Sequence, residues 1–142
     1  MRLIKHLSKN TILALVAFSL LTSCTFTTTK RKDPVFTVDL NTISDTIGKI
    51  IATQEVNLHG VETKKNGKVT TELTIRLINP LNAPATQEQQ NEMGKHIARL
   101  LKQSMKDKRD YQVYTVLFVN QRTSGGVSES NYSGRTYKLE EL

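Results

Sequence analysis

From residue 35 onward the chain switches between two hydrophobic periods, and each period predicts a different kind of element. Val35-Phe36-Thr37-Val38 is a short apolar-rich run that predicts a strand. Ile43, Ile47, Ile50 and Ile51 then recur at i, i+4, i+7 and i+8, one face of a helix over about 42–53. Asn41 or Thr42 can cap its start and Asp45 suits its first turn, whereas Gly48 weakens its interior.

Val56–Thr63 and Val69–Ile78 flank Lys65-Asn66-Gly67-Lys68. Asn-Gly tolerates the two positive φ angles of a tight hairpin turn. A two-residue turn there sets Leu58 against Ile75, Val56 against Leu77 and Gly60 against Leu73 on one side. The other side pairs His59 with Thr74, Asn57 with Arg76 and Val61 with Glu72. One register therefore sorts apolar from mostly polar positions across both strands, and a slip of one residue would destroy the sorting.

Asn79-Pro80-Leu81-Asn82-Ala83-Pro84 reads as a connection. Thr86 and Gln89 have the spacing of a capping box that opens a long helix. Met93, Ile97, Leu100, Leu101 and Met105 form its apolar stripe, and Lys95, Arg99, Lys102 and Lys106 gather on the opposite side. Its end is expected near Lys106–Arg109, where cations suit the negative end of the dipole. Tyr111–Val119 is apolar on both faces in its second half and reads as a central strand. Gln121–Ser130 holds Gly125-Gly126 and three serines and is expected to be a mobile loop. Tyr132–Leu139 is the expected last strand, pairing back onto Tyr111–Val119. The order predicts one α+β domain over 35–142: a two-layer sandwich with a mostly antiparallel sheet of about four strands and two helices on one face.

The first 24 residues follow another logic. Met1–Asn10 carries Arg2, Lys5 and Lys9; Thr11–Leu21 is apolar apart from Ser19; Leu21-Thr22-Ser23-Cys24 ends in the only cysteine of the chain. A basic segment, a short apolar run and small residues describe a secretory signal peptide. The run is too short for a comfortable membrane span of about 20 residues. Leu21-Thr22-Ser23-Cys24 resembles the lipobox of bacterial lipoproteins, which is an aliphatic residue, two small residues and a cysteine. The resemblance implies removal of residues 1–23, a diacylglyceryl thioether on Cys24 and acylation of its new amino group. No other cofactor is expected. One acyl chain holds a protein marginally, and two or three hold it stably. Thr25 in place of an Asp resembles sorting to the outer membrane, and no acid precedes Asp33. The periplasmic face of the outer membrane is the expected location.

Residues 24–34 then read as a lipidated N-terminus and flexible tether. Thr25–Pro34 would span at most ~35 Å if fully extended. Lys30, Arg31 and Lys32 at its end can reach anionic headgroups, although a solvated linker is the simpler reading.

Charge and chemistry narrow the function further. The chain of 142 residues has a formal net charge of +7, and without residues 1–23 it keeps 17 Lys+Arg against 13 Asp+Glu over 119 residues. That excess is mild and diffuse, no aromatic stacking pattern accompanies it, and a secretion signal argues against nucleic acid. A single cysteine excludes an internal disulfide framework. There is no Gly-x-Ser-x-Gly elbow, His59 and His96 lack metal-ligand spacing, and Gly125-Gly126 is followed by no phosphate-binding helix. An enzyme would need one of these histidines to converge with a carboxylate in a cleft. The expected function is a non-enzymatic binding or interaction module, membrane-anchored, with an envelope protein or glycan as partner. The alternative is a module for a small molecule, lipid or glycan in a pocket near Leu58, Ile75 and Ile97. Lys95, Arg99, Lys102 and Lys106 are the candidate anion- or partner-binding face, with Glu88 and Glu92 partly balancing them.

Overall fold

A computed structural model describes residues 26–124 and 127–142 of the chain. The signal-peptide reading, Cys24 and Gly125-Gly126 lie outside the described residues. In chain order the elements are β1 (Thr27–Arg31), α1 (Leu40–Ile50), β2 (Glu55–Lys65), β3 (Lys68–Ile78), α2 (Gln87–Ser104), β4 (Val113–Ser124) and β5 (Val127–Lys138). A 3₁₀ turn, Leu139–Glu141, follows.

The five strands form one open sheet in the order β1-β2-β3-β4-β5. Only β3 and β4 run parallel, and α2 is the crossover that such a pair requires. Both helices pack on one face, so the fold is the expected α+β sandwich with a mostly antiparallel sheet. The predicted hairpin register is present residue for residue, including Leu58 opposite Ile75 and His59 opposite Thr74. Asn66 (φ 50°) and Gly67 (φ 82°) make its turn, a conformation that Gly adopts at no steric cost.

The core lies between sheet and helices. Leu73, Ile75, Leu77, Tyr114, Val116 and Phe118 from β3 and β4 meet Ile43 and Ile47 of α1 and Ile97, Ala98 and Leu101 of α2. Ile75 and Ile97 are fully buried, and Leu58 packs against the same cluster. The space expected to hold a ligand near these three residues is therefore filled by side chains.

Three sequence expectations differ from the structure. Residues 24–34 do not form a tether throughout, because Thr27–Arg31 is the edge strand β1, antiparallel to β2. It has no apolar alternation, and its β-branched threonines suit the extended backbone while its charges suit an edge. Val35–Val38 is not a strand of the sheet. Phe36 makes an isolated bridge to Met105, where the Thr37 N–H donates to the Ser104 carbonyl (2.9 Å) and the Lys106 N–H to the Val35 carbonyl (2.9 Å). The expected loop Gln121–Ser130 is mostly strand: β4 and β5 stay paired out to Ser124 opposite Val127.

Helix boundaries also moved. Asp39, not Asn41 or Thr42, caps α1, accepting from the Thr42 N–H (2.9 Å) and the Thr42 hydroxyl (2.7 Å). These bonds hold its carboxyl below the usual range. The helix stops at Ile50 because Ile51 is extended. Thr86 and Gln89 form the expected capping box of α2. That helix ends at Ser104, before the cations expected to close it.

Candidate functional site

The predicted cationic face divides when its surroundings are seen. Arg99 and Lys106 are exposed, but Lys95 and Lys102 are half-buried. The Lys102 Nζ donates to the carbonyl of Leu139 (3.3 Å), so it fastens the C-terminal turn to α2. Lys106 lies beyond the last residue of α2, and the helical phase that grouped it with Arg99 no longer applies there.

Lys30, Arg31 and Lys32 are each paired with a carboxylate. Lys30 meets Glu62 (2.9 Å), Arg31 meets Asp33 (2.5 Å) and Lys32 meets Asp110 (3.2 Å). Lys32 belongs to a lock that fixes the end of β1. The Tyr111 hydroxyl donates to the Lys32 carbonyl, and the Lys32 ammonium lies 5.4 Å from the Tyr111 ring centre. The Lys32 N–H donates to the Gly60 carbonyl (2.9 Å). A Cβ at Gly60 would collide with the Lys32 carbonyl and the Tyr111 hydroxyl, so this close approach requires glycine. Burial pushes the Tyr111 phenol up to about 12, with the nearby Asp110 and Asp33 charges adding to it.

At the other end of β1 the chain meets the β2–β3 turn. Thr27 pairs with Lys65, and the Asn66 N–H donates to the Phe26 carbonyl (3.2 Å). Lys64, Lys65 and Lys68 around this turn are exposed, and none has an ion-pair partner among the described residues. Phe26 is 77% exposed and Val69 41%.

The sheet face opposite the helices is polar over much of its length, and the paired Ile78 and Val119 at one end of it are buried. His59, Arg76, Thr74 and Tyr132 lie on it, and hydroxyl bonds run across it from Thr115 to Glu72 (2.7 Å) and between Thr115 and Thr136 (3.0 Å). Tyr132 is 72% exposed.

An open groove of about 770 Å³ lies at the far end of the sandwich. Ile50, the loop residues Asn82–Ala85, and Gln89, Glu92, Met93 and His96 line it. It brings His96 and Glu92 to one wall, one helical turn apart, while His59 stands on the opposite side of the sheet. Among the described residues no three His, Cys, Asp or Glu side chains are grouped as a metal site. No described helix is long and apolar enough to cross a membrane.

The groove escaped the sequence reading because it is built by a loop folding against two helix ends. The Pro84 carbonyl accepts from the Gln90 amide (3.2 Å), a contact that no periodicity announces. The sequence reading passed over Lys64, Lys65 and Lys68, because their isolation depends on the nearby Glu62 being taken by Lys30 from β1.

No protein-family model matches the chain, and no curated protein sequence does. Among solved structures it is similar to the crystal structure of the sex pheromone staph-cAM373 precursor, at 12% identity and a TM-score of 0.44. The match covers 94% of this chain and 46% of that one, so the chain spans less than half of that protein's length. A likeness at that level assigns neither a family nor an activity.

Proposed function

We propose that the protein is a lipid-anchored lipoprotein of a bacterial envelope, most simply on the periplasmic side of the outer membrane. Its domain acts as a non-enzymatic interaction module for another envelope protein. The observation that carries the reading is Leu21-Thr22-Ser23-Cys24 placed directly behind a basic segment and an apolar run. The polar part of the outer sheet face, with exposed Tyr132 and Arg76 among threonine hydroxyls, supports a protein partner, since Tyr and Arg are favoured contact residues.

Metabolic labelling with a fatty acid should mark the wild-type protein and fail on Cys24→Ala, which should accumulate as uncleaved precursor. Label that survives the substitution overturns the anchor. A photo-crosslinker at Tyr132 should recover a reproducible protein neighbour in intact cells. Recovery of glycan fragments instead, or of nothing, overturns the protein-partner reading.

The groove favours a second reading. Its volume falls in the range of small-molecule sites, about 300–1,000 Å³, and Ile50, Pro84 and Met93 give it an apolar lining beside Gln89, Glu92 and His96. A lipid or other small amphiphile is the ligand class this mixture suits. Co-purification of such a molecule from wild type, lost in Met93→Lys, would establish it.

A further inference from the structure

We propose that the end of the sheet formed by Phe26 and the β2–β3 turn is a docking surface for anionic phospholipid headgroups, seated on the bilayer that holds Cys24. The inference rests on the lipid-anchor reading above. Its geometry comes from how the start of β1 is held. Phe26 is bonded to the turn itself through Asn66, and β1 starts at Thr27 opposite Lys65. Cys24 is three residues before Thr27 in the sequence, a distance of at most about 11 Å. So short a spacer leaves this end within reach of the headgroups, and its charge decides whether it rests on them.

The charge at this end fits that position. Lys30, Arg31 and Lys32 are neutralised by Glu62, Asp33 and Asp110, whereas Lys64, Lys65 and Lys68 have no acidic partner among the described residues. The turn also projects. Pairing of β3 with β4 begins only at Glu72 opposite Val113, so Lys68 lies beyond the strand that would otherwise flank it. Phe26 and Val69, exposed at the same end, supply apolar side chains of the kind that enter the headgroup boundary. A basic side chain near an anionic surface favours the bound state about five-fold, so three of them give on the order of 100-fold.

The test uses the mature lipidated protein in vesicles of phosphatidylcholine alone, or with about one third phosphatidylglycerol. A spin label is placed at Val69→Cys or, as the distant control, at Gln121→Cys. Collision with a nickel chelate carried on headgroups should be several-fold more frequent at position 69 than at 121 in the anionic vesicles. The difference should collapse in phosphatidylcholine and in the Lys64→Glu, Lys65→Glu, Lys68→Glu triple variant. Equal collision rates at both labels in anionic vesicles overturn the proposal, as does a difference indifferent to vesicle charge. Failure of the anchor reads separately: protein lacking the diacylglyceryl mass at Cys24 would not stay in vesicles of either composition.

Discussion

Where β2 turns into β3 the hairpin projects past β4, and the surface is cationic and close in sequence to Cys24. At the opposite end, where β3 stops at Ile78 and α2 begins, it is concave, with the 770 Å³ groove and a polar hollow around Asn79, Gln121 and Asn131. Ten residue steps along β3 separate these ends by ~33 Å. Their backbones are also secured differently. The first end depends on an edge strand whose five residues are all exposed, held by its ladder to β2 and the Tyr111 lock. The second is clipped by Asn79, whose N–H donates to the Val119 carbonyl (2.8 Å), whose amide donates to Gln54 (2.7 Å) and whose side-chain oxygen accepts from the Gln121 N–H (2.7 Å). The ends are held independently, so loosening one should leave the other intact.

The sharpest way to break this contrast is Gly60→Ala. The added methyl meets the Lys32 carbonyl and the Tyr111 hydroxyl, both fixed, and overpacking of this kind costs about 3 kcal/mol. Hydrogen exchange should accelerate in β1 and remain slow around Asn79; uniform loosening would show that the two ends are coupled.

Alkaline pH acts on the lock that holds β1 and on the core beside it. Tyr111 and Tyr114 are both buried, and their phenols are raised from 10.0 to about 12. In the unfolded chain each ionises near its ordinary value, while in the fold each stays neutral. The unfolded state therefore loses protons first, and stability falls between pH 10 and 12, by about 2–3 kcal/mol per ring, with no effect below. Denaturant midpoints measured across that range should decline, less steeply in Tyr111→Phe.

Asn79→Ala should cost about 2 kcal/mol, because it removes two side-chain bonds and places alanine at a φ of 47°. Exchange should rise near Gln54 and Gln121 and not in β1. The smallest effect is expected at Tyr114, whose hydroxyl is buried without a hydrogen-bond partner among the described residues. Tyr114→Phe removes an unsatisfied polar group and should be neutral or stabilising by up to about 1 kcal/mol in urea unfolding.

Elements governed by local chemistry were legible in the sequence, and those governed by partners were not. Asn66-Gly67 dictates a turn whatever surrounds it, and the turn then fixes every pair from Glu55–Ile78 to Lys65–Lys68. Thr86 and Gln89 announce α2 in the same way. β1 has no apolar face to read; it becomes a strand because β2 offers an unpaired edge and Tyr111 receives Lys32. The distal halves of β4 and β5 were hidden for a related reason, since polar residues such as Asn120, Gln121, Ser130 and Asn131 extend a ladder that carries no hydrophobic pattern. The cationic face of α2 was visible as periodicity, but the Leu139 carbonyl that takes Lys102 out of it belongs to a turn 37 residues away.

The bond between Tyr111 and Lys32 spans 79 positions. A chain made from its N-terminus presents β1 early, and the hairpin that β1 lies against closes from local contacts soon after. The phenol that pins it arrives only when roughly three quarters of the polypeptide exists. Until then the outermost strand has only its ladder to the hairpin to hold it, and the tyrosine adds a second fastening at its far end.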